Sequence, residues 1–134
     1  MKGAYLLIIG VNRDSRIKVG SLGLINFKKG IYVYVGSAMG GLEQRISRHL
    51  RSNKKTFWHI DYLLKNRNAK IIKVFYKESN EKEECKIARR ISKFGEPVMN
   101  FGSSDCKCES HLFRIKNPRV LDSLNFSEYD KNKY

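Results

Sequence analysis

The chain has 134 residues, 41% of them hydrophobic and 30% charged. That balance suits one folded domain with one core and excludes an intrinsically disordered polypeptide. Its 27 Lys and Arg against 13 Asp and Glu leave a formal net charge of +14. Such an excess attracts polyanions, nucleic acid first and an anionic membrane surface second, because no long basic amphipathic helix stands out. Three cysteines are too few, and odd in number, for a secreted disulfide scaffold.

The apolar run "AYLLIIGV" near the N-terminus falls far short of the ~20 residues of a spanning helix. No small-residue cleavage pattern follows it, so it reads as a buried strand, and a cytoplasmic protein with no membrane association is expected. "NRDS" at 12–15 is turn chemistry, and "RIKVGSLGLINF" reads as a hairpin. "GIYVYVGS" is the next strand, ended by the glycines of "AMGG". "LEQRISRHLRS" follows as a helix with Leu42, Ile46 and Leu50 at a spacing of four. "TFWHIDYLLKN" predicts a second helix, capped by Thr56, with Trp58, Tyr62 and Leu63 on one face.

"AKIIKVFYKE" predicts a strand that alternates Ile72, Val74 and Tyr76 against Ile71, Lys73, Phe75 and Lys77. "NEKEECKIARRISKF" predicts a third helix, capped by Asn80 and stopped by Gly95 and Pro97. "NFGSSDCKCESHLFRIK" is a loop ending in a short strand, "HLFRI". Residues 1–116 form the domain, and 117–134 form a polar tail whose last residues, "DKNKY", are expected to fray. The order predicts an α+β fold: a central, mainly antiparallel three-stranded sheet flanked by helices, with an extra β-hairpin between the first two core strands.

The chemistry gathers after the second long strand. Tyr32 and Tyr34 project to one face of it. Gly36, Gly40 and Gly41 leave room for a backbone or ligand at its end. Arg45, Arg48 and His49 then lie along one side of the helix. A guanidinium fork suits phosphate, since it bonds two oxygens at once. An ordinary strand and turn with solvated arginines is the plainer reading of the same residues.

"YVGSAMGGLEQRISRH" resembles the second signature of the GIY-YIG nucleases. Tyr34, Val35, Gly36, Ser37, Leu42, Arg45 and His49 fall on its pattern. The literal "GIY" at 30–32 lies in the same strand as "YVG", so it is not the partner signature. "GAY" at 3–5 matches instead, which makes Tyr5 the first signature tyrosine. The hairpin between the two signatures, together with "WHIDYLL" and "FGSSDCKCESHLF", resembles the small Uri-type branch of the superfamily. The likeness runs from Gly3 to about Phe113.

That resemblance implies a metal-dependent endonuclease acting on duplex or branched DNA, with RNA a possible substrate, in repair or processing of damaged DNA. It implies a site of Tyr5, Tyr34, Arg45, His49, Glu84 and Asn100. One Mg²⁺ or Mn²⁺ would be held by a glutamate on the third helix, Glu84 chosen over Glu81 and Glu83. The three acids would otherwise serve the helix dipole. Gly36, Ser37, Arg48, Arg51, Lys54, Lys55 and His59 flank this site and are expected to contact the nucleic acid. Asp105 would join the metal or cap a turn. A catalytically silent nucleic-acid-binding module and a partner domain for a repair enzyme are the alternatives.

Cys85, Cys106, Cys108 and His111 are four potential zinc ligands. C-x-C-x2-H is not a standard finger spacing, and a disulfide is a further option. Small buried thiols are the expected state.

Overall fold

The computed structural model describes residues 1–130. Two long strands, β1 (Gly3–Val11) and β4 (Gly30–Ala38), flank a small hairpin of β2 (Ser15–Lys18) and β3 (Leu24–Phe27). Helices α1 (Leu42–Leu50) and α2 (His59–Leu64) follow, then β5 (Ala69–Glu78) and α3 (Glu84–Ile91). The chain continues through β6 (Glu96–Pro97) and β7 (Leu112–Ile115), a 3-10 helix at Pro118–Leu124, and β8 (Ser127–Glu128). No helix among the described residues is long and apolar enough to cross a membrane.

The main sheet has six strands in the order β6-β7-β4-β1-β5-β8, all neighbours antiparallel. The expected three-stranded sheet is therefore too small, although β4, β1 and β5 occupy its centre. The hairpin inserted between β1 and β4 is present as a separate two-stranded sheet.

"AYLLIIGV" is apolar without alternation because both faces of β1 are covered. Tyr5, Leu7, Ile9 and Val11 enter one core with Leu42 and Ile46 of α1, Ile60 and Leu63 of α2, and Phe27 of the hairpin. Ala4, Leu6 and Ile8 enter the other with Ile87 and Ile91 of α3 and with Leu121 and Leu124. A strand sandwiched in this way has no polar face. Each Leu or Ile so enclosed contributes about 1.5–3 kcal/mol.

Four expectations need correction. In β5 the pairing with β1 slips between Ile8 and Ile9, so that Ile9 faces Ile71 while Ile8 faces Lys73. This bulge makes Ile72 the extra residue. Ile71 and Val74 join the first core, and Ile72 is 43% exposed. Helix α2 begins at His59, and its cap is the Asp61 carboxylate, which accepts from the Phe57 and Trp58 amides at 2.9 Å each, not Thr56. Helix α3 begins after Glu83, four residues past the expected edge, so Asn80 caps nothing. The segment after Asn117 is not a free tail. β8 pairs with the outer edge of β5, and Leu121, Leu124 and Tyr129 are buried. Of the expected fraying in "DKNKY", residues 131–134 lie outside the described residues.

Candidate active site

β7 pairs only with Ile31–Tyr34 of β4, and its approach ends with the Val35 amide donating to the His111 carbonyl at 2.9 Å. Beyond that point β4 has no partner on this side among the described residues, and a cleft opens at the end of the sheet. Its volume is about 360 Å³. Elements from both faces reach it: Tyr5 from β1, Tyr34 to Ser37 from β4, Arg45 from α1, Trp58 ahead of α2, and Glu84 from α3. Gly102, Asp105 and His111 of the β6–β7 loop complete the wall.

Tyr5 lies directly across the sheet from Gly36. A Cβ at Gly36 would stand 2.3 Å from Tyr5 Cζ and 2.4 Å from its hydroxyl oxygen. The glycine of "YVG" is therefore required by the tyrosine of "GAY", whose ring crosses the bare backbone. This explains one signature in terms of the other. Tyr5 and Tyr34 stand on the same side of the sheet with ring centroids 6.5 Å apart. Tyr32, the tyrosine of the literal "GIY", instead donates to the Lys28 carbonyl at 2.7 Å and packs on Phe27.

The Tyr5 hydroxyl and His49 Nε2 are hydrogen-bonded at 2.8 Å. Burial pushes the Tyr5 phenol up to about 12, against the pull of the Arg45 guanidinium. Burial likewise drives His49 down to about 3, against the opposing field of Asp61. Both groups are neutral at pH 7, so the phenol donates and the imidazole accepts. His49 Nδ1 is buried with no partner. Tyr34 is raised well above its ordinary value, again by burial first.

Arg45 donates to the Ser37 carbonyl at 3.2 Å and lies over the Trp58 ring, 4.6 Å from its centroid. Arg48 stands over the same ring at 4.3 Å. Both guanidiniums thus stack on one indole, and each cation–π contact contributes about 0.5–1 kcal/mol. The two arginines have different duties. Arg48 makes a paired contact to the buried Asp61 carboxylate, 3.0 and 2.9 Å, and also bonds the Lys55 carbonyl. Burial alone would raise the Asp61 carboxyl, yet Arg48 and the Trp58 and Phe57 amides hold it below the usual range. Arg48 therefore fixes α1 to α2, and its guanidinium is not free for a phosphate.

Of the three acids near α3, Glu84 lines the cleft, Glu83 pairs with Lys77 at 3.9 Å, and Glu81 is exposed outside it. Asn100 is not brought to the site. It is exposed at a turn with φ of 66°, its amide bonded to the Glu109 carbonyl at 2.7 Å, and Gly102 and His111 occupy the wall expected of it. Lys54 reaches back to the His49 and Arg51 carbonyls at 2.9 and 2.6 Å and so caps α1. Arg51 and Lys55 are exposed. His59 Nδ1 accepts from the Gly102 amide at 2.8 Å, which ties α2 to the loop beside the cleft.

The cysteines depart from the expectation of buried thiols. All three are free and half-buried, and neither apolar core includes them. Their sulfurs and a His111 ring nitrogen lie within 4.8 Å of one another. The sequence reading also missed Trp58 as the ring shared by the two arginines and Asp61 as the anchor of Arg48, because neither role has a local signal.

No curated protein and no solved structure matches the chain. A family model does match, over residues 4–130, nearly the whole length described above. The chain belongs to the family described as domain of unknown function DUF123.

Proposed function

We propose that this chain is a metal-dependent endonuclease that hydrolyses phosphodiester bonds in DNA, acting in the repair or processing of branched or damaged duplexes. The observation that carries this reading is the convergence of Tyr5, Tyr34, Arg45 and Glu84 on one cleft, although they come from four separate elements. The cleft is open and polar, which suits a sugar–phosphate link better than an apolar ligand.

Arg45 is held over Trp58 and against the Ser37 carbonyl, and it lines the cleft in which the phosphate would sit. There it stabilises charge that grows on the phosphoryl oxygens. Glu84 fits Mg²⁺ or Mn²⁺, because among the described residues it has no ion pair, and Mg²⁺ takes one or two carboxylates and keeps most of its waters. A bound ion of this kind supplies Lewis-acid stabilisation of the phosphoryl and leaving oxygens. His49 orients Tyr5 by accepting from its hydroxyl. The minor fraction of Tyr5 that has released its hydroxyl proton to solvent would take, as phenolate, the proton of the attacking water. The water oxygen bonds phosphorus in line as the bond to the sugar oxygen breaks, and that oxygen is protonated from solvent. The steep cost of ionising a buried phenol is opposed by Arg45.

A nucleic-acid-binding module without turnover is the competing reading. It draws on one observation: Tyr5 is only 2% exposed and already bonded to His49. Nicking of supercoiled and branched DNA with Mg²⁺ or Mn²⁺, stopped by EDTA, separates the two. Arg45→Ala should lower cutting by about 100- to 1,000-fold and retain most of the binding. Tight binding with no cutting under any divalent ion would transfer the site to the silent module. Failure to bind DNA at low salt would favour a partner domain.

A further inference from the structure

We propose that Cys85, Cys106, Cys108 and His111 form a structural zinc site that clasps the first turn of α3 to the β6–β7 loop. The inference stands apart from the endonuclease reading, since it concerns thiolates and not the Glu84 carboxylate.

Geometry is the first argument. Zn–S bonds of about 2.3 Å and a Zn–N bond of about 2.05 Å at tetrahedral angles put sulfurs about 3.8 Å apart and sulfur about 3.5 Å from nitrogen. Cys106 Sγ is 3.5 Å from His111 Nε2, and Cys85 Sγ is 3.7 Å from the same atom. All four ligand atoms fit within 4.8 Å. The two sulfur–nitrogen distances match edges of a coordination tetrahedron, and the remaining ligand atoms lie close enough to complete it on binding. A thiol–imidazole hydrogen bond accounts for one such contact, because a neutral Nε2 offers one lone pair or one hydrogen. A disulfide would use two of the sulfurs and leave the third and the imidazole unexplained.

The surroundings agree. Residues 102–110 are turns and bends, with only Ser103 and Ser110 buried. A segment with so little core of its own needs a covalent or metal staple to hold one shape. His111 itself is buried, which restricts its ring. An open pocket lined by Cys85 and Cys108 gives a metal its way in, and Arg89 and Lys107 line it as well. Binding converts three thiols to thiolates, releases three protons, and leaves Zn²⁺ with three negative sulfurs at a net charge of −1. The two basic residues complement that charge. Soft thiolates with one imidazole select zinc over magnesium, and four protein ligands leave no position for a reactive water. The site is therefore structural. It fixes Glu84, one residue before a ligand, and the loop that carries Asp105 into the cleft.

The test is metal analysis of the full-length chain expressed with zinc and iron both supplied. One equivalent of zinc and negligible iron is expected. Replacement with Co²⁺ should give the thiolate charge-transfer band and the visible spectrum of tetrahedral cobalt. Cys106→Ser and Cys108→Ser should each drop zinc below half an equivalent, and chelation should lower the melting temperature of the wild type but not of the double variant. Should the variants fail to fold, the wild-type stoichiometry and cobalt spectrum decide alone. A metal-free protein with no thiolate band on cobalt addition, stoichiometric iron, or an intact mass showing a disulfide would each overturn the proposal. Nicking assays in excess Mg²⁺ read the Glu84 site separately, so neither result can stand in for the other.

Discussion

Replacing Gly36 by alanine adds one methyl group directly under the Tyr5 ring. The new Cβ would lie 2.3 Å from Tyr5 Cζ, 2.4 Å from its oxygen and 2.8 Å from Cε1. Ordinary contact needs about 3.5 Å, so the ring must retreat by about 1 Å. It has little space to do so, with Tyr34 and His49 at centroid distances of 6.5 and 5.3 Å on the same side. Overpacking of this kind costs about 1–3 kcal/mol. Disrupting the 2.8 Å bond to His49 adds about 1 kcal/mol for a buried pair. Against this, an alanine in a strand recovers about 0.5 kcal/mol through the unfolded chain. The expected net loss is about 2–3 kcal/mol in urea unfolding. The double cycle with Tyr5→Ala isolates the cause: without the ring, Gly36→Ala should be neutral or slightly stabilising. A Gly36→Ala protein within 0.5 kcal/mol of wild type, or an equal loss in the Tyr5→Ala background, would refute the claim that the phenol dictates the glycine.

Acid should destabilise the fold through His49. Its folded pKa of about 3 lies below the 6.5 of an ordinary histidine, so the unfolded chain takes a proton first as pH falls. Stability is then full above about pH 6.5 and declines by about 1.4 kcal/mol per unit toward pH 3, roughly 5 kcal/mol in all. A His49→Gln protein, titrated by chemical denaturation, should show a flatter profile across that window. Asp61→Asn strips the Arg48 contact and weakens the α2 cap; a loss of about 3 kcal/mol is expected, seen as a lower urea midpoint. If Tyr5 accepts the water's proton, kcat/KM should climb about tenfold per pH unit through the neutral and mildly alkaline range, with no shoulder near 6.5. A bell centred near neutrality would move that role to a histidine. DNA affinity should fall steeply between 50 and 200 mM salt, by about 1,000-fold for six phosphate contacts.

The central strands and α1 were legible because their signals are local. Unbroken apolarity marks β1, and spacing of four marks α1. The resemblance of "YVG" and its spacing to Arg45 also singles out Tyr34, Gly36 and Arg45, which line the cleft. The bulge in β5 was hidden because Ile71 and Ile72 are both apolar, and only the register with β1 shows which is expelled. Arg48 looked like a phosphate ligand because its partner Asp61 lies 13 residues on, across a loop. The last strand was missed since Leu121, Leu124 and Tyr129 are apolar residues scattered in a polar stretch, buried by tertiary contact and not by periodicity. The thiol cluster was divided by the 21-residue step from Cys85 to Cys106, so no short motif shows it.

The cleft borders draw on residues as far apart as Tyr5 and His111. No fragment ending before the loop of 102–110 holds a finished wall, and no local helix or hairpin contains even two opposite sides. A growing or partly digested chain therefore lacks one side of the cleft until the segment that carries Gly102, Asp105 and His111 docks.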